Sequence, residues 1–127
     1  MPDTEPDRLL MPQESTVYGY LLAEDSDEIQ IGLWRKEVAA FCEARGYRLV
    51  LIFADWGIPH GQVARIGFTA LLDVLELRTA HAVVLPSIDH LSGENHAIAV
   101  LRRLVRRTGS QLVLIDEKPD DMRADDA

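Results

Sequence analysis

The sequence predicts an α/β fold: an open, mostly parallel sheet of about four strands with helices on both faces. Three observations carry that reading. Apolar runs of strand length alternate with stretches of helical periodicity, in the order strand, helix, strand, helix, strand, helix, strand. The runs at 47–54 and 82–86 are apolar without alternation, the pattern of strands covered on both faces. Glycines and acids punctuate the junctions. Such alternation implies parallel strands joined by right-handed crossovers, giving three layers, αβα.

The first strand spans about 16–23 and ends in Glu24 and Asp25. A helix follows from Asp27 to about Arg45, with Ile31, Trp34, Val38, Phe41 and Cys42 on one face. Asp25, Ser26 or Asp27 can cap it, and Gly46 stops it. Cys42 lies on the buried face, which makes it a core residue rather than a nucleophile. The second strand, 47–54, ends in Asp55 and opens into a loop rich in glycine and proline. Phe68, Leu71, Leu72 and Leu75 define a second helix from about Gly67 to Arg78. Residues 82–86 form the third strand, and 89–95 a loop. A third helix runs from about Glu94 to Thr108, with Arg102, Arg103, Arg106 and Arg107 opposite its apolar face. The fourth strand is 111–116.

The 127 residues are enough for one domain with a core and too few for two. A flexible acidic N-terminal tail is expected over 1–15, the α/β domain over 16–116, and an acidic C-terminal tail over 117–127. The net charge of −8 comes mostly from those tails. No apolar run approaches the ~20 residues of a membrane-spanning helix. The acidic, proline-dotted start lacks the basic and apolar regions of a secretory signal. One cysteine excludes an internal disulfide and a cysteine-based zinc site. A cytoplasmic protein is the expectation.

Ligands bind outside the carboxyl ends of parallel strands. Those ends carry Glu24, Asp25, Asp55, Asp89, His90 and Asp116. Clustered carboxylates can hold a divalent cation, so an acid-lined, metal-dependent regulator built on Glu24, Asp55 and Asp89 is one reading. The competing one is that acids cap the helices that follow. No cofactor and no metal centre is assigned. Ser87 and Ser92 can approach His60 or His90, but neither a nucleophile elbow nor a third member accompanies them. The four arginines offer a phosphate-contacting ridge, and cations also favour helix C-termini for dipole reasons alone.

Several stretches resemble the catalytic domain of the serine recombinases, the resolvase/invertase family. Tyr18-Gly19-Tyr20 resembles the opening of its first strand. Phe53-Ala54-Asp55 precedes a glycine-bearing loop. Arg65-Ile66-Gly67-Phe68 leads into a helix with Leu71-Leu72. Val83 to Ser92 resembles the family's strand ending in Asp-Arg-Leu-Gly/Ser. The resemblance spans about 16–116 and implies a resolvase-like fold. It also implies a serine nucleophile that forms a phosphoserine link to DNA, with arginines around the phosphate.

At those positions this chain departs from the pattern. Glu24 stands at the serine, Leu22 at the arginine two residues before it, and His90 and Gly93 at two later arginines. Arg65 and Asp89 are retained. The resemblance also implies a connecting helix and a DNA-binding domain after the catalytic domain, and neither is expected in the eleven residues that follow the fourth strand. The expectation is a catalytically inactive, degenerate resolvase-like domain acting as an interaction or regulatory module. It would work as a homo-oligomer or with a protein partner, with a weak case for DNA and none for a membrane. The alternative is a DNA-binding accessory to an active recombinase.

Overall fold

The computed structural model describes residues 16–25, 27–59 and 61–117. Four strands and three α-helices alternate along the chain: β1 (Thr16–Ala23), α1 (Glu28–Arg45), β2 (Arg48–Trp56), α2 (Ile66–Leu75), β3 (Ala82–Leu85), α3 (Asn95–Arg107) and β4 (Gln111–Leu114). A single 3₁₀ turn, Ile88–His90, lies between β3 and α3. The expected acidic tails lie outside the described residues, apart from Glu117.

All strand pairs are parallel and the order is β2-β1-β3-β4. The chain leaves β1 toward one edge, then jumps back over β1 to reach β3. Right-handed crossovers therefore put α1 on one face and α2 and α3 on the other. The two cores match. Tyr18, Tyr20, Val83 and Leu85 pack with Phe68, Leu71 and Leu101 on one face. Val17, Leu21, Ala82 and Val84 pack with Val38 and Cys42 on the other. Alternate residues of β1 thus serve opposite cores.

Local chemistry sets the helix ends. Asp27 caps α1, its carboxylate accepting from the amides of Ile29 and Gln30 at 3.1 and 3.2 Å. Gly46 closes it in the left-handed region, φ 76°. Gly19 lets α1 approach the sheet, since a Cβ there would sit 3.0 Å from Ile52 Cγ1 and 3.3 Å from Val38 Cγ1. Cys42 is buried, and burial raises its thiol pKa, as a core cysteine requires.

Two expectations need correction. The second strand is not buried on both faces. β2 pairs only with β1, and its Val50 and Leu51 are exposed beside an irregularity in register between Val17 and Gly19. An apolar run cannot reveal that its strand lies at an edge. The second helix ends at Leu75, three residues before the expected Arg78, which adopts φ 60° in the turn that follows.

Candidate functional site

The strand order reverses direction at β1, so a crevice opens between the carboxyl ends of β1 and β3. A cleft of about 740 Å³ lies there. β1 supplies Leu22 and Glu24, and the segment after β3 supplies Asp89, His90 and Gly93. Arg65, just before α2, completes the set of six positions singled out in the sequence. Trp34 of α1 and Ile58 and Pro59 of the loop after β2 form apolar walls.

Beneath the cleft lies a polar cluster that the sequence did not assemble. The Tyr20 hydroxyl donates to Asp55 Oδ2 at 2.6 Å. Asp55 also accepts the backbone amides of Gly67 at 2.7 Å and Phe68 at 2.9 Å. α2 has no acid in its first turn and no side-chain cap from Arg65. The Asp55 carboxylate takes that role from the end of β2, at the positive end of the helix dipole. Gly67 is needed for the approach, because a Cβ there would lie 2.5 Å from the Ala54 carbonyl oxygen and 2.8 Å from Asp55 Oδ2. Burial, then the Asp55 carboxylate, holds the Tyr20 hydroxyl protonated far above the ordinary range of tyrosine.

Arg65 is only 3% exposed. Its Nε donates to the Gln62 carbonyl at 2.9 Å, and its Nη1 to the Tyr20 hydroxyl at 3.4 Å. The guanidinium and the Asp55 carboxylate therefore flank one hydroxyl and offset each other. Asp55 is spent on a helix end and does not line the cleft, which removes it from the metal reading. No group of three or more His, Cys, Asp or Glu is placed to hold a metal ion among the described residues.

His90 is 5% exposed, and its Nδ1 accepts the Leu22 amide at 3.0 Å. That bond fixes the neutral tautomer with its proton on Nε2. The ring stands edge-on to Trp34, with centroids 4.5 Å apart. Burial lowers the His90 pKa to about 4, only partly opposed by Asp89 and Asp116. His90 thus enters the cleft as a neutral N–H donor, not as the cation a phosphate would call for. Glu24 and Asp89 are exposed and have no cationic partner among the described residues.

No serine–histidine pair forms among the described residues. His90 Nδ1 is occupied by Leu22, and the Ser92 hydroxyl oxygen accepts the Glu94 amide at 3.0 Å. His60 lies outside the described residues. The arginines are not at the cleft. α3 runs antiparallel to the strands, so Arg106 and Arg107 in its last turn sit roughly 18 Å from its start, at the opposite end of the sheet. Arg102 is half-buried, whereas Arg103, Arg106 and Arg107 are exposed. Sequence reasoning missed the Tyr20–Asp55–Arg65 cluster as a unit. Its one sequence signal is a polar hydroxyl inside an apolar strand, which requires a buried partner.

A family model described as the resolvase N-terminal domain matches residues 23–127. No curated protein sequence matches. Among solved structures, the chain is similar to the C-terminal catalytic domain of ISC1926 TnpA, an IS607-like serine recombinase, with 19% identity and a TM-score of 0.68, covering 87% of this chain and 76% of that one. It is similar to the N-terminal catalytic domain of TP901-1 integrase, with 16% identity and a TM-score of 0.70, covering 80% and 77%. A resolvase family site-specific recombinase from Streptococcus pneumoniae matches at 13% identity and a TM-score of 0.65, covering 86% and 81%. At such identities these likenesses establish the shared fold.

Proposed function

The chain belongs to the resolvase N-terminal domain family, and from that premise we propose that it is a recombinase-type scaffold that does not cut DNA and acts as an interaction or regulatory module. Family membership supports a role related to DNA recombination. The observation that carries the finer reading is the chemistry of the cleft. Leu22, Glu24, neutral His90 and Gly93 line it where the resemblance puts an arginine, the nucleophilic serine and two further arginines.

Phosphoryl transfer needs a nucleophile and positive charge on the phosphate oxygens in the transition state. Glu24 offers no hydroxyl and repels a phosphate. The one cationic side chain lining the cleft among the described residues is Arg65, already turned to Tyr20 and Gln62. Loss of one electrostatic donor costs about 10²–10³ in rate, and here the nucleophile is missing as well. The test is a nicked or phosphorothiolate DNA substrate that traps a protein–DNA ester. No adduct is the expected outcome, and a serine-linked adduct would refute the proposal.

A second reading, an accessory that binds DNA without cutting it, draws support from the exposed Arg103, Arg106 and Arg107. Their contacts would weaken steeply from about 50 mM to about 200 mM salt. Absence of any retarded complex at the lower salt would remove this reading.

A further inference from the structure

We propose that the chain assembles head to tail with copies of itself, the acidic cleft of one copy receiving the arginine-bearing end of the next. This rests on the reading of the domain as an interaction module and names the partner surface. Four observations support it.

Charge differs between the two ends of the sheet, with acids at the cleft and arginines gathered at the far end of α3, where exposed Glu43 and Glu76 also lie. At the carboxyl end of the sheet, Glu24 and Asp89 line the cleft without a counter-ion among the described residues. Arg65 lines the same cleft but forms no ion pair with either acid among the described residues, its guanidinium donating to Gln62 and Tyr20 instead. At the other end, Arg103, Arg106 and Arg107 are exposed and have no carboxylate partner among the described residues. Arg78 joins them: its Nη1 lies 3.6 Å from where a Cβ on Gly109, just past α3, would be. Helix dipoles favour acids at one end and arginines at the other, and no ion pair among the described residues engages either set.

The cleft also carries an unused donor. His90 is more than nine-tenths buried, yet its Nε2 keeps some solvent access and has no partner among the described residues. A neutral N–H beside two carboxylates suits an arginine together with a backbone carbonyl, both of which a helix C-terminus presents. The α3 end offers that pair in Arg106 and Arg107.

Exposed apolar residues ring the cleft end. Ile29 and Leu33 lie on the first turns of α1, Trp56 ends β2, and Ile66, 89% exposed, begins α2. Exposed apolar area beside the charged cleft is surface that a protein contact can bury.

The arginine end carries its own apolar spot, Leu77, beside Arg78. Arg78 holds φ 60°, an uncommon conformation for a residue with a Cβ, which sets this turn apart from the loops around it. Surfaces that complement each other but lie at opposite ends make a heterologous contact, so association runs past a dimer into a ring or an open chain.

Sedimentation velocity of the full chain tests this at ~10 mM and ~1 M salt, where the Debye length falls from about 30 Å to about 3 Å. At low salt the mean mass should rise with concentration beyond a dimer, and at high salt it should return to the monomer. Glu24→Gln with Asp89→Asn, and separately Arg106→Gln with Arg107→Gln, should each give monomers. All four side chains are exposed, and circular dichroism checks that both variants fold. Mixed in equal amounts, the two variants should form one-to-one dimers and nothing larger, because each retains one working end. A monomeric wild type at low salt would overturn the proposal, and so would oligomers that persist in either variant or a mixture that stays monomeric. A covalent DNA adduct would refute inactivity and leave these masses unchanged, so the two proposals fail separately.

Discussion

Acid should find His90 first. Its imidazole is neutral in the fold, with a pKa lowered to about 4 against an ordinary 6.5. The unfolded chain therefore takes up a proton at this position at a higher pH than the folded chain does. The stability tied to neutral His90 is fully present above pH 6.5 and is lost as the pH falls toward 4. Each pKa unit corresponds to about 1.4 kcal/mol, so a gap of about two and a half units amounts to roughly 3 kcal/mol across that window. The geometry gives the same sign, since a protonated Nδ1 would turn a donor toward the Leu22 amide that now donates to it. The comparison is with His90→Asn, whose side-chain oxygen keeps an acceptor near that amide but does not titrate. Urea unfolding of both proteins at pH 7, 6, 5 and 4 isolates the effect, because the carboxylates titrate in both. The wild type should lose about 3 kcal/mol more than the variant between the ends of the series. Parallel curves would refute the reasoning, showing that His90 is not held neutral by the fold.

Tyr20→Phe removes the donor to Asp55 and the acceptor for Arg65, and should cost about 1.5–3 kcal/mol in denaturant unfolding, the range for hydrogen bonds to charged groups. Gly67→Ala drives a methyl group into the Ala54 carbonyl and the Asp55 carboxylate; a loss of about 1–3 kcal/mol, read by thermal or urea unfolding, is expected for such overpacking. Glu24→Ser restores a hydroxyl but leaves Leu22, His90 and Gly93 in place, so the DNA trap should still capture no adduct.

The sequence contained what depends on near neighbours. The alternation of apolar runs and helical faces gave four strands and three helices in order. Gly46 marked the end of α1, and its cap, Asp27, was one of three adjacent candidates, because capping acts within a few residues. Leu22, Glu24, Asp89, His90 and Gly93, at or just past the ends of β1 and β3, and Arg65 at the start of α2 converge on one cleft because parallel strands carry their carboxyl ends, and the following helices their starts, to one edge. What the side chains do there was decided by contacts between distant residues. Tyr20 meets Asp55 across 35 positions, and Leu22 meets His90 across 68. Those pairings commit Asp55 to the start of α2, hold His90 neutral and turn Arg65 inward. Strand order is likewise a long-range choice, and it left the apolar run of β2 at an edge. Periodicity and capping act over one or two turns, so a single sequence displays them directly. Burial, strand neighbours and the fate of a charge depend on what the rest of the chain brings alongside, and only the tertiary structure decided them.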